Sequence, residues 1–317
     1  MTPTLSDKVQ KQHDFCNIPN WWEHGYTGKG VGVWNCEGFT DHGTRTRRTI
    51  EYVAPDATII SGHAGTGISA DGVLKDPKVY IQEKKDGEKT PVPLEEFLQK
   101  YDIRVVTASL EPAPFLHPGY KVAKGWQELI EKYDLCVFNS SGNDFKRDKT
   151  LDNQDVGIWY IGALGFDAKG NVSRHGYSNG GEGLDFADFT ADWRGTSFSS
   201  PYLAGKCALV RQRFPHMNRF EVYEYMKQNC MDLGDAGEDK LFGHGLFILP
   251  PITEPIKGDD DVEITKTKVL VDGQIKEVKR VMVNNENYIR LRDMEDVLGI
   301  CDVDYDAERN LPIVRKG

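Results

Sequence analysis

Between residues 103 and 138 the chain runs strand, helix, strand at lengths that leave little architectural freedom. Ile103-Arg104-Val105-Val106 and Leu135-Cys136-Val137-Phe138 are short apolar runs bounded by turn residues, and between them Val122, Trp126, Leu129 and Ile130 recur at helical spacing within 120–133. Two strands joined by so long a crossover lie parallel, and a parallel sheet needs helices on its faces. Val31-Gly32-Val33-Trp34 and Ala57-Thr58-Ile59-Ile60 read as two more such strands. The expected fold is α/β, a mostly parallel sheet with helices on both faces. Its chemistry is expected just beyond the carboxyl ends of the strands.

This pattern stops at Leu249-Pro250-Pro251. The following Thr253-Glu254-Pro255-Ile256-Lys257-Gly258-Asp259-Asp260-Asp261 reads as a linker, because prolines, a glycine and a charge run resist regular structure. The expected organisation is a large domain over 1–252, a linker over 253–261 and a small α+β module over 262–317. In that module Lys268 to Ile275 reads as strand, turn, strand. Val281-Met282-Val283 and Tyr288 to Leu291 read as further strands, Asp293 to Gly299 as a short helix and Ile313-Val314 as a last strand.

A formal net charge of −10 excludes a generic nucleic-acid binder, which would carry a basic stripe, and argues against adhesion to an anionic membrane. No apolar run approaches a transmembrane length. Asp7, Lys8, Lys11 and Asp14 leave no apolar core near the start, so no secretory signal is expected and a cytoplasmic location follows. The cysteines Cys16, Cys36, Cys136, Cys207, Cys230 and Cys301 are scattered without a C-x-x-C pair, which predicts reduced thiols and no structural zinc. No metal and no cofactor is expected.

The most specific local signal is Gly195-Thr196-Ser197-Phe198-Ser199-Ser200-Pro201-Tyr202-Leu203-Ala204-Gly205. It brings a hydroxyl to a tight turn at the start of a helix. Pro201 is expected in the first turn, where a missing N–H costs nothing. Ala204, Gly205 and Ala208 give the helix a small-residue face. A serine at a helix N-terminus sits among free N–H groups that stabilise an oxyanion.

This segment closely resembles the nucleophile segment of the subtilisin-like serine proteases, the subtilases, and other motifs follow in the family's order over roughly residues 10–250. Gly25 to Val33 resembles the start of the first core strand, His42-Gly43-Thr44 the catalytic histidine, and Val53 to Ala57 the turn into the next strand. Val106-Thr107-Ala108-Ser109-Leu110 resembles the substrate-binding strand, Ser140 to Asp144 the oxyanion-hole asparagine, and Phe242 to Leu246 the closing segment. The resemblance implies a subtilisin-like fold and a serine endopeptidase working through an acyl-enzyme on a protein or peptide substrate. Ser197 would be the nucleophile, His42 the general base, and Asn143 with the Ser197 N–H the oxyanion hole.

The chain departs from the family at the acid. Register without a gap from Gly25 puts Glu37 at the aspartate position; a shorter strand puts Asn35 there, and Asp41 is a third candidate made awkward by adjoining His42. Glu37 is the preferred reading. Only four residues separate it from His42, yet five steps of chain span up to about 17 Å, enough for a side-chain hydrogen bond. The short segments here give no ground for carrying over the family's calcium sites. Ser109, Leu110 and Glu111 are the expected substrate-binding residues; Glu111-Pro112 stands where subtilases continue with glycine, and Glu111 would favour basic side chains, obstruct the groove or be a solvated loop residue. These departures also support the alternative of a catalytically impaired subtilase-fold protein that binds peptides or assembles.

Tyr288 to Asp293 through Leu298-Gly299 and Val303 to Ala307 resembles the stalk domain, also described as copper-amine-oxidase N-terminal-like. That implies a bacterial or phage origin, with release by lysis in the phage case, and an assembly or attachment partner for residues 262–317. No histidine lies beyond His244, so copper binding gets no support.

Overall fold

A computed structural model describes residues 4–68, 72–82, 87–109, 122–146 and 156–253, and strands within 264–316. The chain divides into two compact units, Met1–Thr253 and Glu254–Gly317.

The first unit opens with helices α1 (Asp7–Phe15) and α2 (Ile18–Glu23). There follow β1 (Gly32–Asn35), α3 (Asp41–Val53), β2 (Thr58–Ile68), β3 (Leu74–Ile81), β4 (Thr90–Pro93), α4 (Leu94–Lys100), β5 (Ile103–Ala108), α5 (Lys124–Tyr133) and β6 (Cys136–Ser140). It continues with β7 (Ile158–Phe166), β8 (Val172–Arg174), β9 (Leu184–Phe189), α6 (Thr196–Arg213), α7 (Arg219–Gln228), β10 (Cys230–Met231) and β11 (Leu246–Phe247). Strands β1 to β9 form one sheet in the order β4-β3-β2-β1-β5-β6-β7-β8, with β9 also on β7. The centre is parallel: β1 pairs with β2 and β5, β5 with β6, β6 with β7, and β7 with β9. The β2–β3–β4 flank and β8 are antiparallel.

The period-two alternation of a strand decides which helices cover which face. Val33, Val105, Phe138, Trp159 and Ile161 pack with Ile50 and Val53 of α3 and with α6 and α7 in one core. Their neighbours Trp34, Val106, Val137, Ile158 and Tyr160 pack with α4 and α5 in the other. The sheet is thus mostly parallel with helices on both faces, as expected. Helix α6 is buried on nearly every side, which fits its small residues Ala204, Gly205 and Ala208. A Cβ at Gly205 would come within 2.7 Å of Val53 Cβ, so glycine there sets how closely α6 approaches α3.

One expectation is corrected. Helix α6 begins at Thr196, which puts Pro201 in the second turn and not the first. There its missing N–H leaves the Ser197 carbonyl without its i+4 partner.

In the second unit β12 (Ile264–Val271), β13 (Gln274–Val283) and β14 (Glu286–Ile289) form an antiparallel sheet, and β15 (Cys301–Asp306) pairs antiparallel with β16 (Leu311–Lys316). The helix expected over Asp293 to Gly299 lies outside the described residues. Among the described residues, no helix is long and apolar enough to cross a membrane.

Candidate active site

The polar residues collect where β1, β5 and β6 end and where α3 and α6 begin. Strand β1 stops at Asn35 and the chain turns through Glu37 into α3. Thr40 caps that helix, its hydroxyl accepting the Gly43 N–H at 2.9 Å. His42 is therefore held in the first turn, facing back towards the strand end. Its Nδ1 lies 2.6 Å from Glu37 Oε2. The carboxylate side chain is 4% exposed and the imidazole 42%, so a buried acid faces an accessible base. The hydrogen bond to Glu37 raises the His42 pKa above the usual imidazole value, against the opposing effect of burial.

Asn35 is engaged elsewhere. Its Nδ2 donates to the Gly43 carbonyl at 3.1 Å and to Ser61 Oγ at 3.2 Å, and its Oδ1 accepts from Thr46 Oγ1 at 3.1 Å. It fastens the first turn of α3 to the sheet. Asp41 is exposed in that turn, a favourable place for an anion at a helix N-terminus. Of the three acid candidates, Glu37 is the one brought to His42.

On the other side of the site, Asn143 follows Gly142, whose φ of 100° favours glycine. Asn143 Oδ1 accepts the Thr196 N–H at 2.9 Å and the Thr196 hydroxyl at 3.2 Å. With the oxygen so committed, the Nδ2 hydrogens are left to donate. Thr196 Oγ1 in turn accepts the Gly142 N–H at 3.1 Å, locking the β6 loop to the start of α6. Gly195 lies between the two donor groups: a Cβ built on it would be 3.8 Å from both Asn143 Nδ2 and the Ser197 N. Its φ of 131° is open to glycine and strained for any other residue. Ser197 is the second residue of α6, half-buried, among N–H groups that lack helical acceptors. Phe198 beside it lies 5.5 Å from the His42 ring, centroid to centroid.

Ser109, at the end of β5, donates its hydroxyl to the Ser197 carbonyl at 2.7 Å. This is the carbonyl that Pro201 leaves unpaired, so the Ser109 side chain braces the serine helix. Leu110 and Glu111 lie outside the described residues.

Sequence reading missed the supports. Asn179 Oδ1 accepts the N–H groups of Asp144 and Lys146, fixing the loop beyond Asn143, and Tyr177 OH accepts the Gly195 N–H. A tyrosine and an asparagine near glycines in Tyr177-Ser178-Asn179-Gly180-Gly181 look like ordinary turn chemistry; only their partners distinguish them. A cavity of about 490 Å³ adjoins this corner, lined by Phe145, His175, Tyr177, Asp192, Trp193 and Arg194 among others. Among the described residues no group of three or more His, Cys, Asp or Glu is arranged to hold a metal. Cys16, Cys36, Cys136, Cys207 and Cys230 are free.

Comparison with known proteins gives a consistent answer. An extracellular serine protease of Serratia marcescens is 35% identical over 85 residues, 27% of this chain and 8% of that protein. The minor extracellular protease Epr of Bacillus subtilis is 41% identical over 59 residues, 19% of this chain and 9% of that protein. The chain thus spans under a tenth of either relative. Sphericase superposes with a TM-score of 0.52 at 12% identity, covering 71% of this chain and 93% of its own, which is a likeness of fold. The profile of peptidase S8, the subtilase family, matches residues 3–245, and the chain belongs to that family.

Proposed function

We propose that the protein is a serine endopeptidase that cleaves peptide bonds through an acyl-enzyme intermediate. The observation that carries this reading is the 2.6 Å contact between a buried Glu37 carboxylate and the His42 ring, at the same carboxyl end of the central strands as Ser197 and Asn143. In this scheme Glu37 holds the Nδ1–H tautomer and leaves Nε2 free to take the proton of the Ser197 hydroxyl. Ser197 Oγ adds to the scissile carbonyl, and the oxyanion is received by Asn143 Nδ2 and the Ser197 N–H. His42 then protonates the departing amine, and water repeats the sequence to release the acid. The preorganised donors supply most of the stabilisation, because they need not reorganise as charge develops. The substrate class is protein or peptide.

An attachment or assembly role for residues 262–317 belongs to the same proposal and rests on the stalk-domain resemblance. The test of the catalytic reading is covalent. A fluorophosphonate should label the full chain at Ser197, Ser197→Ala should abolish labelling and peptidase activity, and Asn143→Ala should lower kcat by about 10²–10³. A chain that is folded yet unlabelled would return the peptide-binding alternative.

A further inference from the structure

The turn that carries Glu37 is held by a second histidine. Glu37, Gly38 and Phe39 leave the sheet at the end of β1, and the N–H groups of Gly38 and Phe39 point towards the β2–β3 hairpin. Gly38 N–H donates to His63 Nε2 at 3.1 Å, and Phe39 N–H donates to Gln82 Oε1 at 3.2 Å. The ring lies so close that a Cβ on Gly38 would be 2.6 Å from His63 Nε2. His63 is itself fixed in β2, paired opposite Tyr80 of β3. The far end of the link is fastened separately, by Asn35 on the Gly43 carbonyl and by the Thr40 cap. The short link between Glu37 and His42 therefore has its direction set by a few side-chain acceptors, of which His63 is the nearest to Glu37.

We propose that His63 is a positioning residue for the Glu37–His42 pair, and that only its neutral form, with Nε2 unprotonated, holds the turn in the orientation that aims Glu37 at His42. An imidazolium has no acceptor, so protonating His63 replaces the Gly38 N–H···N bond with two opposed donors. It also places a cation behind Glu37, in competition with His42 for the same carboxylate.

The charged groups facing His63 are Glu37 from the end of β1 and Lys89 from the segment before β4. Burial and Lys89 hold the His63 pKa below the usual imidazole value, against Glu37, which raises it. The order of events on acidification follows. His42, whose pKa is raised, protonates first and removes the base; His63 protonates at lower pH and releases the turn. The logarithm of kcat/KM should fall with a slope of about one below the first pKa and steepen towards about two over the one to two pH units below the second.

This inference rests on the serine-peptidase reading, and its test separates the two. His63→Gln places an amide oxygen near the position of Nε2, so the turn keeps an acceptor that does not titrate. That variant should retain activity near neutral pH within about threefold, while the slope below the second pKa returns to about one. His63→Leu removes the acceptor and should lower kcat by about 10–10² with KM little changed, since a small misplacement of the base costs that much. Independently of activity, heteronuclear NMR of the imidazole nitrogens should find His63 Nε2 unprotonated at neutral pH. A slope of about two retained in His63→Gln, or a protonated Nε2 at neutral pH, would overturn the proposal. Should His63→Leu fail to fold, the Gln variant and the NMR measurement still decide. Loss of Ser197 labelling in the wild-type chain would count against the peptidase reading alone.

Discussion

At the residue scale the proposed mechanism rests on an uncommon acid. Glutamate is one methylene longer than aspartate, and here the extra length crosses from a strand end to the first turn of a helix that follows almost at once. Glu37→Gln keeps the shape but can present its N–H to Nδ1 and so favour the wrong tautomer; kcat is expected to fall on the order of 10⁴. The pH profile should move as well. The Glu37 bond raises the His42 pKa, and in the proposed mechanism the neutral ring is the active form, so activity is expected to appear as pH rises through that raised value. Removing the carboxylate should shift the acid limb to lower pH in the residual activity. Asn35→Asp should give no gain in kcat, because position 35 faces Gly43, Thr46 and Ser61 and not His42. Instead it should destabilise the protein by about 1–3 kcal/mol in urea melts, since a carboxylate cannot donate to the Gly43 carbonyl. An Asn35→Asp variant more active by orders of magnitude would show that the wrong acid has been assigned.

At the scale of elements the site depends on α6, which supplies Ser197 at its start and packs into the sheet along its length. Two interactions hold it that spacing along the sequence does not reveal. Ser109 Oγ takes the Ser197 carbonyl that Pro201 leaves unpaired, and Lys206 is fully buried with its Nζ 2.7 Å from Asp188 of β9 and 2.5 Å from the Phe247 carbonyl. Motif order singled out Ser197, His42 and Asn143 as candidates, because each sits in a short local pattern with a glycine close by, Gly142 and Gly195 in backbone that only glycine adopts without strain. Unbroken register from Gly25 was enough to prefer Glu37. Ser109 on Ser197, Asn143 on Thr196 and Lys206 on Asp188 each join residues far apart in the chain, and only the closed sheet brings them together. Pro201 was misplaced for a related reason: a Gly-Thr-Ser turn does not say at which residue the helix begins.

The buried pair gives a prediction with a built-in control. Lys206→Met leaves Asp188 in the core without its cation and should cost about 3–5 kcal/mol, read from urea midpoints at constant m-value. Joining it to Asp188→Leu should recover most of that loss, because no lone charge remains. A double variant as unstable as the single one would mean that Lys206 matters for the Phe247 carbonyl more than for Asp188. Ser109→Ala should cost about 1–3 kcal/mol for the unpaired Ser197 carbonyl and should lower kcat more than it raises KM, since what it loosens is the serine and not the peptide.

At the scale of the whole molecule the question is where the subtilase unit ends. Its last residues are tied down. Asn17 Nδ2 donates to the Leu249 carbonyl at 3.0 Å and Trp21 Nε1 to the Pro250 carbonyl at 2.8 Å. Asn20 brackets Ile252, accepting its N–H at 2.8 Å and donating to its carbonyl at 3.3 Å. All three side chains lie in or just before α2, so the two ends of the first unit close on each other up to Ile252. The next described strand starts at Ile264, and within that second unit the described strands pair only with one another. Between the two run Glu254-Pro255-Ile256-Lys257-Gly258-Asp259-Asp260-Asp261, a composition with Ile256 as its single aliphatic side chain beside a proline, a glycine and a run of aspartates. Limited proteolysis should therefore cut first between Thr253 and Ile264, and the large fragment should keep both its melting temperature and its labelling at Ser197. Every hydrogen bond named at the site is made between residues of Met1–Thr253. A fragment that melts as before but no longer reacts with the fluorophosphonate would show that residues beyond 253 complete the site, and the boundary of the subtilase unit would then have to be moved.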